Sequence, residues 1–397
     1  MRSYHYYQDG VHALYVNGML RSMVFALVGI FTPIFIYREI YSATNLIWIS
    51  VAAVAAFYLI IRMVVLLIAI PASALIARIG FRRSILVSAV CLAIYLISLK
   101  LAPMNLWYFV VAAICGGLNI PMYWIARGSV ISQDGNKSQI GHQMGWMLTI
   151  EQIVSMLGPI TAALIIVQWG FSTLYSMGFV VLCLSVVPLW HMHGHTHING
   201  ASWRGFIYWT RDRRYFHQAV GIAAKAVDDY VIANMWPLAI MLMGWHATAL
   251  GGLFSAVSIV AIIVRILTVK LFDKWRKRGD YSDEAVFGVA ATMSSIVWVV
   301  RMFIVSAKSI LSVDLIGAIF GTLYSSMFID YEHLGGIRMG SIAYWVYAEM
   351  VYSISTITLM ILMIIGAYYG IWKEVVLLAA ALWTMMGMIQ ARESNMK

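Results

Sequence analysis

The sequence predicts an all-α integral membrane protein of twelve transmembrane helices in two halves of six, and three observations carry that prediction. The 397 residues are 62 % hydrophobic and 11 % charged with mean hydropathy +0.83, whereas soluble domains run at about 45–50 % apolar and about 25 % charged. Apolar stretches long enough to cross a bilayer, about 20 residues each, recur along the whole chain. The longest break between them, 191–217, leaves six on either side. Soluble enzymes, disordered chains and disulfide frameworks are excluded. The cysteines, Cys91, Cys115 and Cys183, lie singly inside apolar runs and offer neither a disulfide pair nor a metal pair.

The first span, at roughly 13–37, follows MRSYHYYQDGVHAL, which lacks the short apolar core and small-residue cleavage site of a signal peptide and is expected to remain attached. The first half continues with spans near 45–75, 84–102, 105–126, 143–168 and 171–190. The second has them near 218–243, 247–271, 285–307, 309–329, 339–367 and 370–391. These runs are continuous, whereas barrel strands would be about ten residues of alternating polarity, so the spans are helices. With the N-terminus inside, the inner segments hold eighteen Lys and Arg and the outer ones four, Arg38, Lys100, Lys308 and Lys373. The positive-inside rule then puts both termini in the cytoplasm, with the inner (plasma) membrane the expected location. The net charge of +10 is a topology signal and implies no nucleic-acid partner. Residues 1–190 and 218–397 are read as two units joined by a cytoplasmic linker, 191–217. Within it ASWRGFIYWTRDRRYF interleaves aromatics with arginines, a pattern suited to a short helix on an anionic leaflet or to a basic loop.

An internal repeat is visible. Pro33 and Pro237 each follow a cation by twelve residues, Arg21 and Lys225, at a common offset of 204. The segment after the second span, Ser73 to Arg83, and that after the eighth, Val269 to Arg278, both resemble the Gly-x-Leu-x-Asp-Arg-x-Gly-Arg-Arg signature of the major facilitator superfamily. The first keeps Leu75, Arg78, Gly80 and Arg82, with Arg83 one place beyond, but has Ala77 for the acid, Ser73 for the first glycine and Phe81 for one arginine. The second keeps Leu271, Asp273, Lys274, Lys277 and Arg278 and lacks both glycines. In the fifth span Val154 to Ala163 is similar to half of the family's Gly-x-x-x-Gly-Pro run, with Gly158 and Pro159 retained for helix packing. The resemblance implies two pseudo-symmetric six-helix bundles around a midplane site. It also implies a cytoplasmic gate built from Arg78, Gly80, Arg82, Arg83, Asp273 and Lys274. A glycine turn lets helices approach, and its cations pair with acids, cap helix ends or simply fix topology.

Ionisable residues inside spans cost on the order of 2.5–3.5 kcal/mol each and are functional candidates by default. Counting about 1.5 Å per residue, Arg21, Glu151, Lys225, Asp228, Asp229 and Glu349 fall in one layer near the bilayer middle. The facilitator resemblance implies Arg21 near Glu151 and Lys225 near Glu349. Asp228 and Asp229 share the helical face of Lys225, which leaves acid in excess and makes either a candidate proton carrier; a wholly structural ion network is the competing reading. Arg62 is read as a contact for an anionic substrate or as a partner for one of these acids. Arg301 and Asp314 are expected to pair or snorkel near a tight hairpin, and Arg265 to belong to the inner latch or to snorkel.

Pro237 and Pro121 free backbone carbonyls and permit bending, with Asn119, Tyr123, Trp124, Asn234 and Trp236 as candidate cavity walls. The alternating histidines of His191 to His197 are read as a solvated linker and the 25 methionines as packing, so no metal or cofactor is expected. The resulting reading is a monomeric secondary transporter, not an enzyme, that moves a small solute by alternating access, with proton coupling resting on the surplus acid. An intramembrane enzyme, a lipid-handling protein and a non-transporting scaffold on the same fold compete with it.

Overall fold

A computed structural model describes the backbone of residues 2–134, 150–154, 156–191, 201–278, 283–304, 306–339 and 341–388. Of these, the side chains of 2–12, 131–134, 191, 213–214, 268–278, 283–284, 307, 329–339 and 341 are not described. Among the described residues the fold is all helical. The order is α1 (Arg2–Val28), α2 (Thr32–Thr44), α3 (Ile47–Ile79), α4 (Phe81–Leu101), α5 (Trp107–Asp134), α6 (Gly158–Val186), α7 (Trp203–Arg211), α8 (Arg213–Tyr230), α9 (Trp236–Leu242), α10 (Ala247–Arg278), α11 (Asp283–Met302), α12 (Ala307–Met339), α13 (Ser341–Tyr368) and α14 (Trp372–Met386). Nine segments among the described residues are long and apolar enough to span a bilayer, against the twelve expected. Part of the difference lies at Gly170. The fifth and sixth expected spans form one 41-residue apolar segment, Ile150–Trp190, and α6 within it breaks at Gly170 with φ 79°. A Cβ there would meet nothing within 4 Å, so the left-handed backbone alone calls for glycine.

The first and seventh expected spans share an irregularity. Between α1 and α2 the helix opens at 29–31, and Pro33 sits in the first turn of α2. Between α8 and α9 the chain widens to a π-helix at Val231–Met235, and Pro237 sits in the first turn of α9. Proline lacks the N–H that a helix start leaves unused, so the repeated prolines restart a helix in both places. Pro121, by contrast, stays inside unbroken α5. The glycine turn after the second span is as expected. Gly80, at φ 83°, closes α3 by donating to the Ile76 carbonyl and leads straight into α4.

Helix α8 begins at Arg213, within the expected linker 191–217. Before it, α7 is capped by Ser202, whose hydroxyl accepts from the Gly205 N–H at 3.1 Å. Only one aromatic of α7 is fully buried: Trp209 packs against Tyr344 and Tyr347 of α13. The short helix is thus docked on α13, with Trp203, Ile207 and Tyr208 exposed.

Helix α3 packs along α13 and α6 along α10. At the second contact a Cβ on Gly251 would lie 2.6 Å from the Pro159 carbonyl oxygen and 2.7 Å from the Ala163 Cβ, and one on Gly158 would collide with Ala26 of α1. Small residues let these backbones touch, the usual means of joining helices where lipid offers no hydrophobic drive. The buried core forms two apolar clusters stacked by height rather than divided by sequence. One gathers Phe35, Leu96, Tyr175, Trp236 and Met360; the other gathers Leu14, Phe81, Tyr123, Trp209 and Met350. Along the helices, buried Arg21, Arg62 and Asn119 fall where one cluster gives way to the other.

Candidate functional site

A cavity of about 660 Å³ occupies the middle of this layer, within the 300–1,000 Å³ of small-molecule sites. Helices α1, α3, α4, α5, α8, α10, α12 and α13 line it. Polar side chains on its wall include Arg62, Asn119, Arg127, Lys225, Asp229, Asn234, Arg265 and Glu349; Tyr58, Tyr95, Trp124, Tyr230, Trp345 and Tyr352 supply most of the aromatic surface. A second cavity of about 350 Å³ among α8, α10, α11 and α12 meets the first at Lys225, Asp229, Ala233, Arg265 and Ser325.

The ion pairs in this layer differ from those the resemblance implied. Glu151, near the start of the described part of the fifth expected span, pairs with Arg127 of α5 at 2.6 Å rather than with Arg21. It does lie against α1, where a Cβ on Gly18 would press on its Oε1. Arg127, one residue beyond the span expected near 105–126, is a buried residue of α5. Arg21 is 2 % exposed; its Nη1 donates to Ser88 Oγ at 3.0 Å, its Nη2 to Asn119 Oδ1, and its guanidinium lies 3.7 Å from the centre of the Tyr123 ring.

Lys225 likewise does not pair with Glu349. It bridges Asp229 and, at 3.6 Å, Asp228, one turn away on the same helix. Glu349 pairs with Arg62 at 3.5 Å. The Arg62 Nε donates to the Tyr230 hydroxyl at 2.7 Å, and its guanidinium sits over the Tyr230 and Tyr352 rings at 4.7 and 4.4 Å. The repeat relates Arg21 to Lys225 in sequence, but Arg62 and Arg127, on neighbouring helices, reach the glutamates first. The acid excess read from six residues shrinks once these arginines join the layer, and persists locally at Lys225 with its two aspartates.

Arg301 and Asp314 pair as expected, at 2.8 Å, but deep inside: their side chains are 4 % and 2 % exposed, so neither snorkels. Trp236, expected on the cavity wall, is fully buried behind it and donates its indole N–H to Asp314 at 3.0 Å. Tyr123 is buried beneath Arg21, while Asn119, Trp124 and Asn234 do line the cavity. Trp298 donates to Asp228 at 2.8 Å; sequence reasoning missed this residue because an indole in an apolar run carries no charge signal. Arg265, expected in the inner latch or snorkelling, lines both cavities. Arg78 and Arg83 are exposed and Arg82 is half-buried, with no ion pair to a described residue, and the side chains of Asp273 and Lys274 lie outside those described. Of the histidine tract, 192–197 also lies outside the described residues.

A cavity lined by many helices, with buried charges on its wall between two apolar clusters, is the kind of site that helical carriers build for a solute. The chain belongs to the major facilitator superfamily, whose family model matches residues 14–356. It is therefore a multi-pass secondary active transporter, of a family whose members are in general solute carriers and not enzymes. Its fold is similar to that of the E. coli fucose:proton symporter FucP. A variant of that protein is 13 % identical over 97 % of this chain and 98 % of the other, with TM-score 0.64. FucP in the outward conformation is 14 % identical over 99 % and 100 %, with TM-score 0.66. A bacterial homologue of the iron transporter ferroportin, outward-facing with soaked iron, is 12 % identical over 97 % and 99 %, with TM-score 0.66. No curated protein sequence matches the chain.

Proposed function

We propose that this transporter couples movement of a small solute to protons, and that Asp229 carries the proton. In this reading residues 1–190 and 218–397 are two six-helix bundles joined by 191–217, twelve spans in all, rocking as a monomer in the inner membrane with both termini cytoplasmic. The observation that carries the proposal is one lysine held between two carboxylates. Lys225, Asp228 and Asp229 together bear one net negative charge, and a single proton makes the group neutral. Asp228 is already fixed by Trp298, whereas the Asp229 side chain is 42 % exposed and borders both cavities. A neutral group is cheaper to enclose in a closed intermediate than a charged one, so protonation of Asp229 favours the movement that carries solute across.

The test is proton movement into sealed vesicles containing the purified protein, read with a pH-sensitive dye against a metabolite library. Solute-dependent proton flux that Asp229→Asn abolishes supports the proposal. Solute uptake with no proton movement overturns it.

A further inference from the structure

We infer that the central cavity takes an organic anion, its carboxylate or phosphate held by Arg265 of α10 and Arg127 of α5, with Arg21 of α1 adding positive charge from behind the wall. The inference rests on the transport reading only in taking this cavity as the solute site. Three guanidinium groups, Arg21, Arg127 and Arg265, gather around Glu151, the one carboxylate there among the described residues. Arg127 forms the ion pair with it. Arg265 lies within electrostatic reach of Glu151 but makes no ion pair or hydrogen bond with any described residue, and it faces the cavity.

Arg21 is bound only to neutral acceptors, Ser88 and Asn119, and its buried Nε has no hydrogen-bond partner among the described residues. A buried cation without a counter-charge is costly. Arg21 stands directly behind Asn119, which lines the cavity. Because Arg21 holds the Asn119 oxygen, the amide that remains to the cavity is a donor. The arginine cluster therefore presents donors and surplus positive charge to the cavity, and an oxyanion supplies the missing partner in the bidentate geometry that guanidinium favours. The other charges on the wall are already committed: Arg62 to Glu349, and Lys225 to Asp228 and Asp229. The aromatic rings on the wall suit an apolar or aromatic body.

Binding to the detergent-purified protein is measured by quenching of tryptophan fluorescence, since Trp124 and Trp345 line the cavity. The probes are phenylacetate and phenyl phosphate, with phenylacetamide and phenethylamine as the neutral and cationic counterparts. One or both anions are expected to bind at least tenfold more tightly than the amide and the amine. Arg265→Gln is expected to weaken the anion at least tenfold, and Arg265→Lys, which keeps the charge, to recover most of that loss. Equal binding of the amide or amine, no binding of either anion, or an Arg265→Gln variant that binds like the wild type overturns the inference. The readout needs no transport, so solute uptake without proton movement would refute proton coupling and leave this inference standing, while loss of anion selectivity would overturn this inference alone.

Discussion

Replacing Asp314 by asparagine isolates the buried pair that anchors α11 to α12. The Asp314 carboxylate receives Arg301 Nη2 at 2.8 Å, Arg301 Nε at 3.0 Å and the Trp236 indole at 3.0 Å. At an effective dielectric of about 20, the ion pair alone is worth roughly 6 kcal/mol of direct attraction. The variant keeps an acceptor for one of these donors but leaves the Arg301 charge in an apolar surround. Breaking one side of a buried pair typically costs about 3–5 kcal/mol. Arg301 also lies 4.1 Å from the Trp298 ring and 5.1 Å from that of Trp236, and cation–π contact offsets about 2 kcal/mol at desolvated sites. The net loss expected is about 1–3 kcal/mol. Removing both charges, with Arg301→Gln alongside Asp314→Asn, leaves hydrogen-bonding groups of similar shape and is expected to cost about 1 kcal/mol. Denaturant unfolding of the detergent-purified protein, followed by tryptophan fluorescence, gives the double-mutant cycle. A single variant within about 0.5 kcal/mol of the wild type, or a double variant as unstable as the sum of the two singles, would refute the reasoning.

Close packing supplies two further predictions. Gly251→Ala forces a Cβ into the Pro159 carbonyl and is expected to cost about 1–3 kcal/mol by overpacking, while Gly252→Ala, where a Cβ meets nothing within 4 Å, is expected to be silent; thermal unfolding of the two variants side by side decides it. Trp209→Ala removes the one fully buried aromatic of α7 and is expected to free that helix from α13, so that trypsin cleaves after Arg204 and Arg211 many times faster than in the wild type; an unchanged digestion rate counts against the docked helix.

Much of the architecture was legible in the sequence because the bilayer imposes it. Helix positions follow from the length of apolar runs, and the restarts at Pro33 and Pro237 follow from the missing proline N–H. Gly80 was readable as a turn and Gly158 as a close approach. That Lys225, Asp229 and Glu349 share a region was also readable, since depth depends only on rise per residue, and all three line the central cavity. The partners within that region were not. Whether Glu151 meets Arg21 or Arg127 depends on rotation of α1 and α5 about their axes, which hydropathy leaves open when a helix is apolar on most faces. The buried positions of Trp236 and Trp298 were hidden for the same reason, because an indole serves equally as lipid-facing anchor, cavity wall or buried donor.

The central claim is that Asp229 carries the proton, and solute exchange in proteoliposomes tests it most directly. With the solute found by proton flux present on both sides, exchange needs no net proton movement, whereas accumulation against a gradient does. Asp229→Asn, permanently neutral, is expected to retain exchange at a rate near the wild type and to lose proton-driven accumulation. An Asp229→Asn variant that still accumulates solute when a proton gradient is imposed would contradict that claim.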